Sequence, residues 1–336
     1  MMKFMKKNMI QSISTDAWDI GVFEFEGSLY FGLSQLGDER FRMFKWISGS
    51  FKDYQNFKLN NARNWSPFRI GSEQYFTVAN YYRGPCSIFR YEKSKSKFVN
   101  ETFSLECHRT IDVKPFHLGG VQYIAVANKR PYSTVIWRWN GRKFEPMQTI
   151  SVTGMQVEVF EVNGETLLAL SGSTEEGPYV YIYQWNGTRF EFIQRVFTQD
   201  RPHNLAAFEA GNEEFLAVTT LPMKSNGGRR NRILILKWSG NKFESFQNIT
   251  AHWARRITAM SSPLMGKRKT TYLAIINFSN DPEIYYWVNK SSTKFDKLQD
   301  IPASMAKDIS FFEMGNSLYM LMSSRKNIEI FRGEVV

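Results

Sequence analysis

Residues Trp139–Ile150 read WNGRKFEPMQTI, which is the end of one strand, a tight turn and a second strand. Asn140-Gly141 is a short hairpin signal, because a type I′ turn needs positive φ at both central residues. The stretch then recurs. Trp185–Val196 reads WNGTRFEFIQRV, Trp238–Ile249 WSGNKFESFQNI, Trp287–Ile301 WVNKSSTKFDKLQDI and Trp46–Phe57 WISGSFKDYQNF, with Tyr91–Leu105 a looser copy. Recurrence of one supersecondary pattern marks a repeat architecture, in which each unit buries its apolar face against its neighbours.

Working outward, an apolar run precedes each copy: SLYFGLS from Ser28, QYFTVAN from Gln74, QYIAVAN from Gln122, TLLALSG from Thr166, EFLAVTT from Glu214, TYLAIIN from Thr271 and SLYMLMS from Ser317. These runs are short, β-branched and aromatic, so they read as buried strands. Before most of them lies a segment carrying Phe and then Gly, as at Phe68 and Gly71 or Phe116 and Gly119. Each unit thus predicts four strands: a (through the Phe), b (the apolar run), c (ending at the Trp) and d (Phe-x-x-x-Gln-x-Ile). The Trp-type position falls at Trp46, Tyr91, Trp139, Trp185, Trp238, Trp287 and Phe331. The expectation is an all-β, seven-bladed β-propeller of four-stranded blades occupying residues 1–336 as a single domain. The seventh unit runs out of chain before its strand d. Residues 3–13 supply a candidate, with Phe4, Asn8 and Ile10 in the Phe, Gln and Ile slots, so the N-terminus is expected to complete the last blade and remove an open sheet edge.

The pattern resembles the epilepsy-associated repeat, EAR or EPTP. That repeat builds seven-bladed propellers in the leucine-rich glioma-inactivated proteins, the very large adhesion G-protein-coupled receptor and a thrombospondin-type laminin G protein. The c–d hairpins carry the resemblance, such as Trp139-Asn140-Gly141 with Phe144 and Gln148, together with a–b pieces such as Asp112 to Asn128. No Gly-His…Trp-Asp signature of WD40 repeats is present, and no leucine-rich or laminin G segment accompanies the propeller. The resemblance implies an extracellular recognition module, secreted or part of an ectodomain. In the family's secreted members the propeller binds cell-surface receptors of the ADAM family and holds metal ions in its channel.

Composition sets bounds on function. Aromatics make up 15% of the 336 residues, as wedges between blades require, and the net charge of +11 favours acidic partners. No apolar run is long enough to cross a membrane, and no uninterrupted apolar stretch at the N-terminus reads as a signal peptide. The four histidines, His108, His117, His203 and His252, stand in no HExxH or nucleophile motif, so no enzyme is expected. No base-reading element points to nucleic acid.

Four sets of residues are candidates for sites. The position four residues before the strand-a Phe gives Asp19, Asn64, Asp112, Gln156, Asn204, Arg256 and Asp308. Strand a lines a propeller's axis, so Asp19, Asp112 and Asp308 could ligate Ca²⁺. The alternative is a hydrogen-bonded ring in which Arg256 neutralises Asp308 and Asp19. Cys86 and Cys107 flank the c–d hairpin of the second unit, where either a disulfide or two buried thiols would fit. Sequons lie at Asn100, Asn186, Asn248, Asn277 and Asn289. Tyr81, Tyr82, Arg83, Arg130, Tyr132, Arg229, Arg230 and Arg232 cluster in or beside the b–c loops, a combination of Arg and Tyr common in binding hot spots. They point to a cell-surface or matrix protein partner. The alternative partner is a heparan-type polyanion held by the basic loops.

Overall fold

The computed structural model describes residues 2–35, 40–59, 61–82, 84–129, 132–152, 154–174, 177–222, 231–262, 270–278, 280–288, 293–303 and 305–335. It is a seven-bladed β-propeller. Seven antiparallel sheets of four strands each follow the predicted a-b-c-d order. Among the described residues the helical elements are two 3₁₀ turns.

The chain divides into two compact units. The first, Trp18–Val159, holds blade one (Asp19–Phe25, Ser28–Ser34, Arg40–Ile47, Ser50–Lys58), blade two (Ala62–Ile70, Glu73–Asn80, Ser87–Glu92, Lys97–Asn100) and blade three (Thr110–Leu118, Val121–Lys129, Tyr132–Trp139, Phe144–Ile150). The boundary falls inside strand a of blade four (Gly154–Val162). The second unit, Phe160–Val336 with Met1–Ala17, holds the rest of blade four (Glu165–Thr174, Gly177–Trp185, Phe190–Phe197), blade five (Arg201–Ala210, Glu213–Leu221, Asn231–Trp238, Phe243–Ala251) and blade six (Ala254–Ser262, Thr270–Asn277, Glu283–Val288, Asp296–Asp300). Blade seven takes strands a to c from Asp308–Met314, Ser317–Ser323 and Asn327–Arg332, and its strand d from Met9–Ser14 at the N-terminus.

The strand-d Gln of four blades has a definite task. In the first unit Gln55 Nε2 donates to the Phe98 carbonyl at 2.7 Å while its Oε1 accepts from the Phe98 N–H at 2.9 Å. In the second unit Gln194 does the same with Phe243, Gln247 with Phe295 and Gln299 with Phe4. One primary amide thus satisfies both backbone groups of the next blade's strand-d Phe, groups that would otherwise be left without partners.

Phe4 therefore sits in the Phe slot as expected, but the rest of the N-terminal register is corrected. A 3₁₀ turn, Lys6–Asn8, inserts into the strand. Gln11 then opposes Ile330 and Ile13 opposes Ile328, as Gln148 opposes Ile136 and Ile150 opposes Thr134 in blade three. The Gln and Ile slots belong to Gln11 and Ile13, not to Asn8 and Ile10. The Trp slot of blade seven moves too. Met2 and Lys3 pair with Val335 and Glu334, which sets Phe4 opposite Gly333. A Cβ on Gly333 would lie 2.3 Å from the Met2 sulfur, so the Met2 thioether occupies the room a Trp takes elsewhere. Phe331 instead corresponds to Trp137.

The c–d turn is also built differently from expectation. Trp139 pairs with Phe144, leaving a four-residue loop in which only Gly141 has positive φ. Asn140 contributes its side chain: Oδ1 accepts the N–H of Arg142 and of Lys143, both at 2.9 Å. Paired positive φ values occur at the a–b turn Asn163-Gly164 and at Ser48-Gly49.

Aromatic packing fills the blades. In the first unit Phe41, Trp65 and Phe76 interlock with centroids 5.2 to 6.2 Å apart. Gly32 lies against them, and a Cβ there would come within 2.6 Å of both Phe41 and Trp65. A side chain at that position would be overpacked.

Candidate functional site

The start of strand a and the b–c loop lie at the same end of every blade. Buried asparagines that close strand b anchor this end. Asn128 Oδ1 accepts from the His108 N–H and the Thr110 hydroxyl, and Asn80 donates to the Pro85 carbonyl. Asn277 Oδ1 accepts from the His252 N–H in the second unit. The loop from strand d into strand a then carries a left-handed residue: Asn61 (φ 55°), Arg109 (φ 51°), Trp253 (φ 59°) and Met305 (φ 58°). Bulky residues rarely adopt this conformation, and such strain gathers at sites where side chains must be presented. Trp253 and Met305 are accordingly exposed, with Trp253 6.1 Å from exposed Phe278.

In the first unit this end builds a continuous aromatic and cationic cluster. Tyr82 and Tyr132 are 55% and 63% exposed. Tyr81 packs edge-on to Tyr82 at 5.2 Å. The Arg63 guanidinium stands 4.7 Å from the Tyr81 ring and 5.7 Å from that of Trp18. Lys129, opposite Tyr132 across the b–c turn, donates from Nζ to the Tyr81 hydroxyl at 3.3 Å. Burial alone would raise the Tyr81 phenol's pKa. The Lys129 hydrogen bond and the charges of Lys129, Arg63 and Arg109 outweigh it, so the phenol is held below its ordinary value. Beside Tyr82 opens a cleft of about 660 Å³ lined by Gly84, Pro85, Glu106, Cys107, His108 and Arg109.

Of the predicted partner-binding residues, Tyr81, Tyr82 and Tyr132 come together here. Arg232 is exposed at the start of strand c of blade five. Arg83, Arg130, Arg229 and Arg230 lie outside the described residues. Sequence reasoning missed Arg63, Arg109 and Trp18. Their one shared signal is position: each stands within a few residues before or after the start of a strand a.

Cys86 and Cys107 form a disulfide with their Cα atoms 5.5 Å apart, closing a loop of sequence separation 21 beside the cleft. A loop of that length constrains the unfolded chain by about 3 kcal/mol. Cys86→Ala/Cys107→Ala is expected to lower stability by about that amount in chemical denaturation. Alkylation without reductant should add no mass, and a mass gain would mean the bridge is open.

The axial positions are occupied by internal partners. In the first unit Asn64 Oδ1 accepts from the Val113 N–H at 3.4 Å and Asp112 Oδ2 from the Val157 N–H at 2.8 Å, while Asp19 is buried. In the second, Asn204 Oδ1 accepts from the Ile257 N–H at 2.8 Å. Asp308 Oδ1 takes both the Arg256 Nε at 2.8 Å and its neighbour's N–H. Three of these side chains thus tie one strand a to the next, and Arg256 pairs with Asp308. Among the described residues no three His, Cys, Asp or Glu side chains gather to hold a metal ion. With these oxygens engaged, neither millimolar Ca²⁺ nor EDTA is expected to move the melting temperature. A rise with Ca²⁺ would place an ion at this position.

The sequons separate by burial. Asn100, Asn186 and Asn248 are exposed. Asn277 is corrected: it is 1% exposed, and its amide nitrogen donates to Asp281 O and Glu283 Oε2, so it has no room for a glycan. Asn289 lies outside the described residues.

Among the described residues no helix is long and apolar enough to cross a membrane. The EPTP domain family model matches residues 50–92, from strand d of blade one through strand c of blade two. The chain is similar to the thrombospondin-type laminin G domain and EAR repeat-containing proteins of Mus musculus and Homo sapiens. The mouse match is 27% identical over 195 residues, covering 52% of this chain and 29% of the relative. The human match is 30% identical over 158 residues, covering 42% and 24%. The matched stretches thus span less than a third of those relatives. The EPTP match and these relatives support an EPTP/EAR-repeat family for the chain.

Proposed function

We propose that this chain is a non-catalytic recognition module that binds a cell-surface or matrix protein outside the cell, through the b–c end of its blades. The observation that carries this reading is the display of exposed Tyr82, Tyr132, Trp253 and Phe278 on loops held by buried asparagines and left-handed residues. Aromatics on a rigid scaffold supply contact area at small entropic cost. The disulfide supports an oxidising compartment, and the exposed sequons support a glycosylated, secreted life. The net charge of +11 favours a second reading, a heparan-type polyanion as the main ligand.

Binding of the purified, glycan-bearing chain to cells separates the two. Measurements with excess heparin and after heparan-lyase treatment are expected to leave binding largely intact, because an interface with an apolar centre is weakly screened. Loss of binding under both treatments would favour the polyanion. No binding to any cell type would overturn recognition at the cell surface.

A further inference from the structure

Resting on that reading of the b–c end, we propose that Arg63, Lys129 and Arg109, set around Tyr81, form a carboxylate-binding site for an extended acidic segment of the partner protein, with the cleft beside Tyr82 taking a neighbouring side chain of that segment.

Arg63, between the Trp18 and Tyr81 rings, and Lys129, against Tyr81, are half-buried, so their heads are partly stripped of water while remaining reachable. A carboxylate arriving there meets them in a medium where Coulomb attraction is stronger than in bulk water. The Lys129 ammonium has three donors, and among the described residues its side-chain partner is the Tyr81 hydroxyl. Among the described residues no ion pair engages Lys129 or exposed Arg109. The Lys129 N–H bonds the Arg109 carbonyl at 3.2 Å, which holds the two loops together. The lowered phenol pKa of Tyr81 reports the same positive field.

The lining selects a peptide over a sulfated glycan. Glu106 stands in the cleft, where a uniform polyanion would meet a like charge. Tyr81, Tyr82, Tyr132 and Trp18 interrupt the cations with ring faces, which suit a chain of mixed side chains. The cleft volume lies in the range of small-ligand pockets, room for one or two side chains.

The probe is a fluorescein-labelled copolymer of Glu and Tyr, followed by anisotropy against the intact chain. Saturable binding is expected, weakened about tenfold or more in Arg63→Gln/Lys129→Gln, as loss of charge-assisted hydrogen bonds requires. Lys143→Gln, at the opposite end of blade three, should bind as wild type. Far-UV circular dichroism checks each fold, and exposed Arg109→Gln serves if the double variant misfolds. Equal affinity in all variants overturns the proposal. So does heparin that binds wild type more tightly than the copolymer and loses affinity equally in the double variant, which would make this a glycan site. Cell binding keeps the two readings apart. A double variant that binds cells like wild type overturns the acidic-segment site alone, whereas a wild type that binds the copolymer but no cell overturns the recognition reading.

Discussion

Phe4→Ala is expected to destabilise the protein by about 3–5 kcal/mol, the cost of emptying a large aromatic site in a packed core. Phe4 is only 1% exposed and 5.7 Å from Phe311, in a cluster with Met2, Tyr272, Ile301 and Met320. The melting temperature should fall by about 4–7 °C. Deleting residues 2–14 should be worse. It removes strand d of blade seven, orphans the Gln299 amide and leaves strand c of that blade, Asn327–Arg332, as an open edge that can pair with other chains. A disordered N-terminal tail would make both changes silent. Gln299→Ala tests the latch separately. It leaves the N–H and C=O of Phe4 without their amide partner, for about 1–3 kcal/mol.

Arg256→Ala is the second large effect. Asp308 is buried, and its carboxylate takes the Arg256 Nε at 2.8 Å beside the Ile309 N–H. Removing one member of a buried pair strands the other charge in a poorly solvating site, at a cost of about 3–5 kcal/mol. Asp308→Asn added to Arg256→Ala should recover much of that loss, since no unpaired charge then remains. If Arg256→Ala alone costs under about 1 kcal/mol, water or another group solvates Asp308 and the pair is not structural.

Much of the fold was legible because the repeat residues answer local demands. A Trp opposite a Phe caps the c–d hairpin of four blades, and apolar runs in strand b are buried on both faces. What the pattern could not carry was the exchange of one solution for another. The Lys6–Asn8 turn shifts the Gln slot to Gln11, and a Met thioether over Gly333 stands in for a Trp. The role of Gln was invisible for a different reason: its partner is a backbone, which leaves no mark in the sequence. Asn140 was recognised as a turn residue, but for its φ rather than for the two N–H groups its side chain accepts.

The site divides the same way. Tyr81, Tyr82 and Tyr132 stood out because large aromatics in predicted loops are conspicuous. Arg63 and Arg109 did not: Arg63 starts strand a of Tyr81's own blade, nearly twenty residues upstream, and Arg109 precedes strand a of the next blade, so neither is seen beside Tyr81 until the strands pair and the blades stack. The axial Asp112 and Asp308 were legible as a ring of oxygens, but not their partners: a backbone N–H bonds Asp112 and Arg256 pairs with Asp308 in the fold.

The most direct measurement places a glycan at each end of one blade and asks which blocks binding. Tyr132→Asn creates an Asn-Ser-Thr sequon at the b–c end of blade three, and Arg142→Thr creates Asn-Gly-Thr at its c–d turn. Both positions are exposed, and a gel shift verifies occupancy. The glycan at residue 132 is expected to abolish cell binding and the one at residue 140 to leave it intact. The opposite pattern, or loss with neither, would contradict recognition through the b–c end.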